Sequence, residues 1–299
     1  MACVLLRCLL HEGVSTSVGR AATKTCLPRR FATAPAANLV LVEKLSGARE
    51  GVAFLTLNRH EGKNSFSKSF LSQFEECLSQ LKGERSVRVL VVRSTVPGVF
   101  CAGADLKERR TMPEEEVEPF VERLRNAASA LEALPMPTIA AVDGAALGGG
   151  LEMALACDIR VASPAAKMGL VETRLAIIPG AGGTQRLPRV VGPVMAKELI
   201  LTSRVLNGTE AKQVGLVNHV SAEGETAETR ALALADEILP NGPIALRLAK
   251  LAVNKSVEVS LHEGLAFEKS YYAQLIKTKD RVEGLQAFME KRKPEYKGE

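Results

Sequence analysis

Strand-type and helix-type patterns alternate along this chain up to about Thr229, and then the strand signals stop. Leu39–Lys44 and Val52–Leu57 read as strands joined by a turn near Gly47–Gly51. Val87–Arg93 and Thr138–Val142 are apolar runs of the kind buried on both faces of a sheet. Between them, Ser67–Leu81 places Phe70, Leu71, Phe74, Leu78 and Leu81 at helical spacing. Val96–Ala104 reads as a loop and Glu115–Leu134 as a long amphipathic helix. Leu151–Ala156 is expected to be helical, Ile159–Ala162 a strand and Met168–Leu170 a short strand. A helix opens at Gly182 after the Pro179-Gly turn, and Val194–Leu201 and Gly208–Val214 also look helical. This alternation predicts an α/β domain. Beyond it, Arg230–Leu239, Pro243–Asn254, Leu261–Ile276 and Lys279–Lys291 all read as helices. A helical tail of that length is expected to pack on the α/β body or on another subunit.

Composition narrows the function classes. The 299 residues are 46% hydrophobic and 24% charged, ordinary globular values. The chain has no tryptophan and is only 4% aromatic, which argues against stacking platforms for single-stranded nucleic acid. The net charge of +5 is unevenly spread. Residues 1–31 hold Arg7, Arg20, Lys24, Arg29 and Arg30 against Glu12 alone, so four of the five net charges sit there and the remainder is near neutral. That segment, rich in Ser, Thr, Ala and Leu, reads as a mitochondrial transit peptide, with Arg29 two residues before Phe31 as at a matrix-processing site. The apolar run Ala2–Leu6, interrupted by Arg7, is too short for a secretory signal. Cys77, Cys101 and Cys157 lie beyond it as an odd, scattered set, which suits a reducing compartment. They and the dispersed His60, His219 and His262 show no metal-ligand spacing. Thr138–Cys157 is the most apolar long run, but Asp143, Glu152 and a glycine triplet argue against a membrane span. Neither a GxGxxG dinucleotide fingerprint nor a GxxxxGK[ST] phosphate loop occurs.

Four segments carry candidate chemistry. In Ala145-Ala-Leu-Gly-Gly-Gly-Leu-Glu152, a glycine run opens a helix, leaving free backbone N–H groups suited to an oxyanion, with a carboxylate one turn on. Gly98-Val-Phe-Cys-Ala-Gly-Ala-Asp-Leu-Lys107 follows a strand, and its small residues allow a ligand close to the backbone. The other two are Met168-Gly-Leu-Val-Glu172 and Ile177-Ile-Pro-Gly-Ala-Gly-Gly-Thr-Gln-Arg186.

In this order and spacing, the four segments resemble the crotonase, or enoyl-CoA hydratase/isomerase, superfamily, from roughly Leu39 to the C-terminus. The resemblance implies an α/β fold, the ClpP-like crotonase fold of repeated ββα units, spanning 32–229 behind a transit peptide at 1–31. It also implies a C-terminal helical region, 230–299, that builds trimers or pairs of trimers. The backbone N–H groups of Ala104 and Gly149 would form an oxyanion hole for a thioester carbonyl, each donor worth about 3 kcal/mol of barrier. Glu152 and Glu172 match the two catalytic glutamates of the hydratases, Glu152 as the water-activating base and Glu172 as the α-carbon acid. Gly62 and Lys63, together with Ala102, Ala104, Asp105, Leu106, Lys107 and Gly149, match the positions that contact coenzyme A. Lys291, Arg292 and Lys293 offer further positive charge, read first as a basic surface. No metal is implied, and no cofactor beyond the coenzyme A of the substrate. The mitochondrial matrix is the expected location.

Within the superfamily, Phe100–Arg109, Ala154–Arg160, Met168–Thr173 and Tyr296–Glu299 are similar to the branch that hydrates 3-methylglutaconyl-CoA in leucine breakdown. That substrate is therefore expected first, and a short-chain enoyl-CoA of fatty-acid β-oxidation second. The first carries a distal carboxylate, and no motif marks a pocket for it. Isomerases and thioester hydrolases share the fold, but retention of both glutamates favours a hydratase. The rival from another class is an RNA-binding protein on the same scaffold. RNA-binding relatives carry a comb of lysines at i, i+4 and i+8 after the Lys63-Asn-Ser loop. Here those positions are Lys68, Ser72 and Glu76, which lack the clustered positive charge that phosphates require.

Overall fold

Every residue of Val52–Leu57 is buried, as a strand must be when both faces of its sheet are covered. The computed structural model describes residues 38–299, and the expected transit peptide at 1–31 lies outside the described residues. The chain opens with β1 (Val40–Lys44), β2 (Val52–Leu57), α1 (Lys68–Gly83), β3 (Val89–Ser94) and β4 (Val99–Cys101). It continues through α2 (Leu106–Thr111), α3 (Glu114–Glu132), β5 (Thr138–Val142), β6 (Ala145–Leu147) and α4 (Gly149–Leu155). Next come β7 (Ile159–Ala162), β8 (Lys167–Gly169), α5 (Gly183–Val191), α6 (Pro193–Leu201), α7 (Gly208–Gln213) and β9 (His219–Val220). Four helices finish it: α8 (Ala227–Ile238), α9 (Pro243–Lys255), α10 (Leu261–Leu275) and α11 (Lys279–Glu290).

The main sheet has the order β1-β2-β3-β5-β7-β9, with β1 antiparallel to β2 and all other pairs parallel. The period of two along each strand separates two cores. Ala53, Leu55, Leu57, Leu90, Val92, Ala140 and Val142 face the cluster that includes Phe70, Phe74 and Leu78 of α1. Val52, Phe54, Val89, Val91, Ile139 and Ala141 face Ala227, Ala231, Leu234 and Ala235 of α8. Each large side chain so buried contributes about 1.5–3 kcal/mol. Helix α1 starts where the Ser67 side chain accepts from Phe70 N–H, an N-cap. The expected junction at 229/230 falls inside α8, which packs on the sheet.

The second sheet is small and positions the site. Strands β4, β6 and β8 pair in that order, all parallel. Each follows a strand of the main sheet (β3, β5 and β7) and precedes helical structure, so the expected ββα repeat is the one observed. Because the three short strands run parallel, their C-terminal ends emerge side by side and deliver three loops to one edge. Part of the expected loop Val96–Ala104 is β4, and β6 and β9 lie where no strand was expected. At two or three residues, none of these can display an alternation.

Candidate active site

The loop after β4 is fixed by a backbone bridge. Phe66 pairs with Ala104 in an isolated parallel bridge. Phe66 N–H donates to Gly103 O at 2.7 Å and Asp105 N–H donates to Phe66 O at 3.2 Å. In that pattern the N–H of Ala104 itself points away from Phe66. Among the described residues, it donates to no protein acceptor.

After β6 the backbone turns at Gly148, with φ 52° and ψ −124°, a conformation that residues with a Cβ rarely adopt. Helix α4 then starts at Gly149, whose N–H is likewise without a protein acceptor among the described residues. The two loops lie against each other. A Cβ on Gly149 would stand 3.7 Å from Gly103 Cα, and one on Gly150 only 2.1 Å from Cys101 O. Two unengaged N–H groups on adjoining loops are the raw material of an oxyanion hole.

The carboxylates occupy unequal surroundings. Glu152, in the first turn of α4, is 3% exposed. Its Oε1 accepts from Ala181 N–H at 2.8 Å and Gly183 N–H at 2.7 Å. Burial raises its pKa, while those two bonds and the charges of Arg186 and Arg125 act in the opposite direction. Glu172 begins a one-turn 3-10 helix just after β8. Its Oε2 is buried with no hydrogen-bond partner. Burial first, and the charge of Glu152 second, raise its pKa to about 7. Gly148 separates the two: its O accepts from Glu152 N–H at 3.0 Å, and a Cβ there would stand 3.1 Å from Glu172 Oε1. The two are close enough for the charge of Glu152 to help raise the Glu172 pKa.

A sequence model of the enoyl-CoA hydratase/isomerase family matches residues 47–299. The chain belongs to that family. It is 58% identical over 261 residues to a mitochondrial methylglutaconyl-CoA hydratase of Rattus norvegicus, an alignment covering 86% of this chain and 83% of that protein. It is 54% identical over 262 residues to mitochondrial enoyl-CoA hydratase domain-containing protein 2 of Homo sapiens, covering 87% and 90%. An enoyl-CoA hydratase crystal structure from Bacillus anthracis shares 48% identity with a TM-score of 0.84, covering 87% of this chain and 100% of that one. The crotonase fold expected from the sequence is the family's fold.

In this family member the residues expected at coenzyme A, apart from Gly149 at the start of α4, lie on two loops bonded to each other. Ala102 N–H donates to Lys63 O at 3.1 Å, joining Gly62 and Lys63 to Ala102–Lys107. The side chains of Lys63, Leu106 and Lys107 are exposed. Asp105 is different: its carboxylate caps α2 through the N–H groups of Lys107 and Glu108 and pairs with Arg59 at 2.7 Å. That carboxylate is committed to the loop, and the Asp105 N–H and carbonyl are bonded to Phe66 O and Arg109 N–H. Arg292 pairs with Glu283 and Glu290 on the C-terminal surface, as a basic surface residue would. Of the broken lysine comb, Lys68 pairs with Glu116, and Ser72 accepts from Arg123.

The sequence reading left several supporting residues unmarked. Arg59 Nη1 donates to Ser65 O and Oγ, locking the 59–65 loop to α2. Asn64 is fully buried at φ 56°, and its side chain donates to Ser94 Oγ and Phe100 O. An Asn two residues after Gly62 was the available signal, since Asn tolerates the left-handed region. Ala181 and Gly183 lie in the flagged Gly180–Gly183 run, but their role needs Glu152 beside them. Among the described residues no cluster of His, Cys, Asp and Glu could hold a metal ion, and no helix is long and apolar enough to cross a membrane.

Proposed function

We propose that this protein is a hydro-lyase that reversibly adds water across the double bond of a 2-enoyl-CoA. Its substrate is 3-methylglutaconyl-CoA of leucine degradation, and it works in the mitochondrial matrix. The names of its relatives support the reaction class and the compartment. The observation that carries the reading is the unequal carboxyl pair: Glu152 accepts from two backbone N–H donors, while Glu172 has a buried Oε2 without a partner and a pKa raised to about 7.

The thioester oxygen accepts from Ala104 and Gly149 N–H, which draws electron density from the β-carbon. A water sits between the carboxyls. Glu152 takes its proton as the new C–O bond forms at the β-carbon, and the π electrons move onto the thioester oxygen. As that enolate collapses, the α-carbon takes the proton of Glu172. The pair ends with its proton on the other carboxyl, and exchange with solvent resets it. Coenzyme A belongs to the substrate, and the scheme uses no further cofactor. The two loops at 62–63 and 102–107 supply the edge along which coenzyme A lies.

Glu152→Gln is expected to lower kcat by about 1000-fold while leaving the thermal melt in place. Loss of enoyl absorbance with crotonyl-CoA and 3-methylglutaconyl-CoA reads it. Wild-type protein that hydrates neither, yet shifts RNA with a steep salt dependence, would reverse the reading.

The same proposal includes self-association through the C-terminal helices. Helix α10 buries no residue, while Leu261, Leu265, Tyr272, Val282, Phe288 and Met289 are all exposed on α10 and α11. An apolar surface of that extent marks an interface, and a homotrimer or pair of trimers is the expected assembly. A stable monomer in light scattering would sink this part.

A further inference from the structure

One guanidinium beside the site has no counter-charge. Arg109 lies on α2, one turn beyond Asp105, and its N–H donates to Asp105 O at 2.8 Å. Asp105 directly follows Ala104, so α2 carries Arg109 out of the loop that offers the Ala104 N–H. The guanidinium lies over the Phe120 ring of α3, 5.4 Å from its centroid. The next residue of α3, Val121, backs the loop that holds Glu152: its Cγ1 would meet a Cβ on Gly180 at 2.7 Å. One turn further on, Leu124 lines an apolar recess with Phe66, Gly149 and Ala181. Helix α3, on which Arg109 rests, therefore also packs against the segments that carry Gly149, Gly180 and Ala181.

Arg109 Nη1 is buried with no hydrogen-bond partner. Among the described residues, its side chain makes neither a hydrogen bond nor an ion pair. Burial lowers its pKa, and no carboxylate acts in the other direction. Arginines on α3 and α5 are engaged: Arg123 with Glu75, Arg186 with Glu132, and Arg125 Nε with Gly180 O. A buried charged donor without an acceptor is costly, and such groups concentrate where a ligand supplies the acceptor.

We propose that Arg109 receives the carboxylate at the far end of the acyl group, and so selects a 2-enoyl-CoA whose acyl chain ends in an acid. This rests on the hydratase reading above. In 3-methylglutaconyl-CoA three carbons separate the thioester carbonyl from the distal carboxylate. Under this assignment that end is set towards α2, the helix that leaves the loop offering the Ala104 N–H. A carboxylate matches a guanidinium with two parallel hydrogen bonds, and Nη1 has no protein acceptor to give up for it. An acyl group without the carboxylate leaves Nη1 unpaired, so one residue both favours the acid and disfavours its neutral analogue.

Glutaryl-CoA and butyryl-CoA test recognition apart from chemistry, because both are saturated and neither can be hydrated. By calorimetry, the wild-type oligomer is expected to bind glutaryl-CoA about ten-fold more tightly or better. Arg109→Met should remove that preference, and Arg109→Lys should retain part of it. In turnover, Arg109→Met should lower kcat/KM for 3-methylglutaconyl-CoA about 100-fold and leave crotonyl-CoA within about three-fold. A wild-type protein with no preference for glutaryl-CoA overturns the assignment. So does an Arg109→Met protein that keeps the preference, or equal losses on both enoyl substrates. Should Arg109→Met fail to fold, Arg109→Gln and Arg109→Lys carry the same comparison. The hydratase reading stands or falls separately, on Glu152→Gln with crotonyl-CoA.

Discussion

The α/β body and the C-terminal helices are built on opposite principles. Helix α1 of the body buries six residues, among them Phe70, Phe74 and Leu78, whereas α10 of the tail buries none. Local bonds hold the tail instead. Ser260 and Glu263 form a capping box on α10, and Thr278 caps α11. The Asp280 carboxylate accepts from Lys297 and Gly298 N–H. The carboxyl groups show the same contrast. At the site within the body, burial raises the pKa of Glu152 and Glu172, although hydrogen bonds lower those of Glu84 and Glu210 on its surface. In the tail, hydrogen bonds lower those of Glu263, Glu283, Glu290 and Glu299. The body accepts strain on its acids for the sake of chemistry, while the tail satisfies its polar groups and leaves its apolar ones to another surface.

The largest effect should separate burial from exposure. Phe70→Ala is expected to cost about 3–5 kcal/mol in urea unfolding, because the cavity lies in a packed core. Phe288→Ala should change the isolated protomer by no more than about 0.5 kcal/mol while shifting the assembly towards smaller species in light scattering. Equal costs at the two positions would erase the contrast. Ser260→Ala tests the local device and should cost about 1 kcal/mol, read in the same unfolding experiment.

The smallest effects test the opposite signs of the acids. The Glu172 pKa is raised from 4.5 to about 7. The native protein thus keeps a proton that the unfolded chain has released, and stability falls as pH rises through that window. The thermal gain of Glu172→Gln should grow between those values and level off above them. The Glu283 pKa is lowered from 4.5 to about 2. Its contribution is fully present above the upper value and is lost as pH falls towards the lower. Glu283→Gln should therefore lower the melting temperature slightly at neutral pH and leave it unchanged near the acid end. Melts of both variants across pH that move in the same direction would break the comparison.

What the sequence disclosed follows the same division. Apolar periodicity marked α1, β2, β3 and β5 because their burial repeats within the element. The glycine run before Glu152 stands out by itself, while the roles of Ala104, Gly149, Glu152 and Glu172 come from the order and spacing of four segments that resemble a known family. Helix α2 is too short to show a helical period, and β4 and β6 are not legible because pairing of three-residue strands is written in their neighbours rather than in themselves. The donors Ala181 and Gly183 act on Glu152 across some thirty residues, and Arg109 gains its meaning from Phe120 and from the acceptor it lacks. Contacts of that kind leave no spacing to read.

Helix α4 begins against the Cys101 carbonyl, with no room at Gly150 for a methyl group. The two donor loops are therefore set as the chain folds and cannot part without undoing the β4–β6 edge. An arriving thioester finds them already aimed and yields little of its binding free energy to order them. That rigidity also makes the hole indifferent to what hangs beyond the carbonyl. Reaction and choice of acyl group then reside in different parts of the chain, so changes on α2 and α3 can retune one while the other is inherited intact.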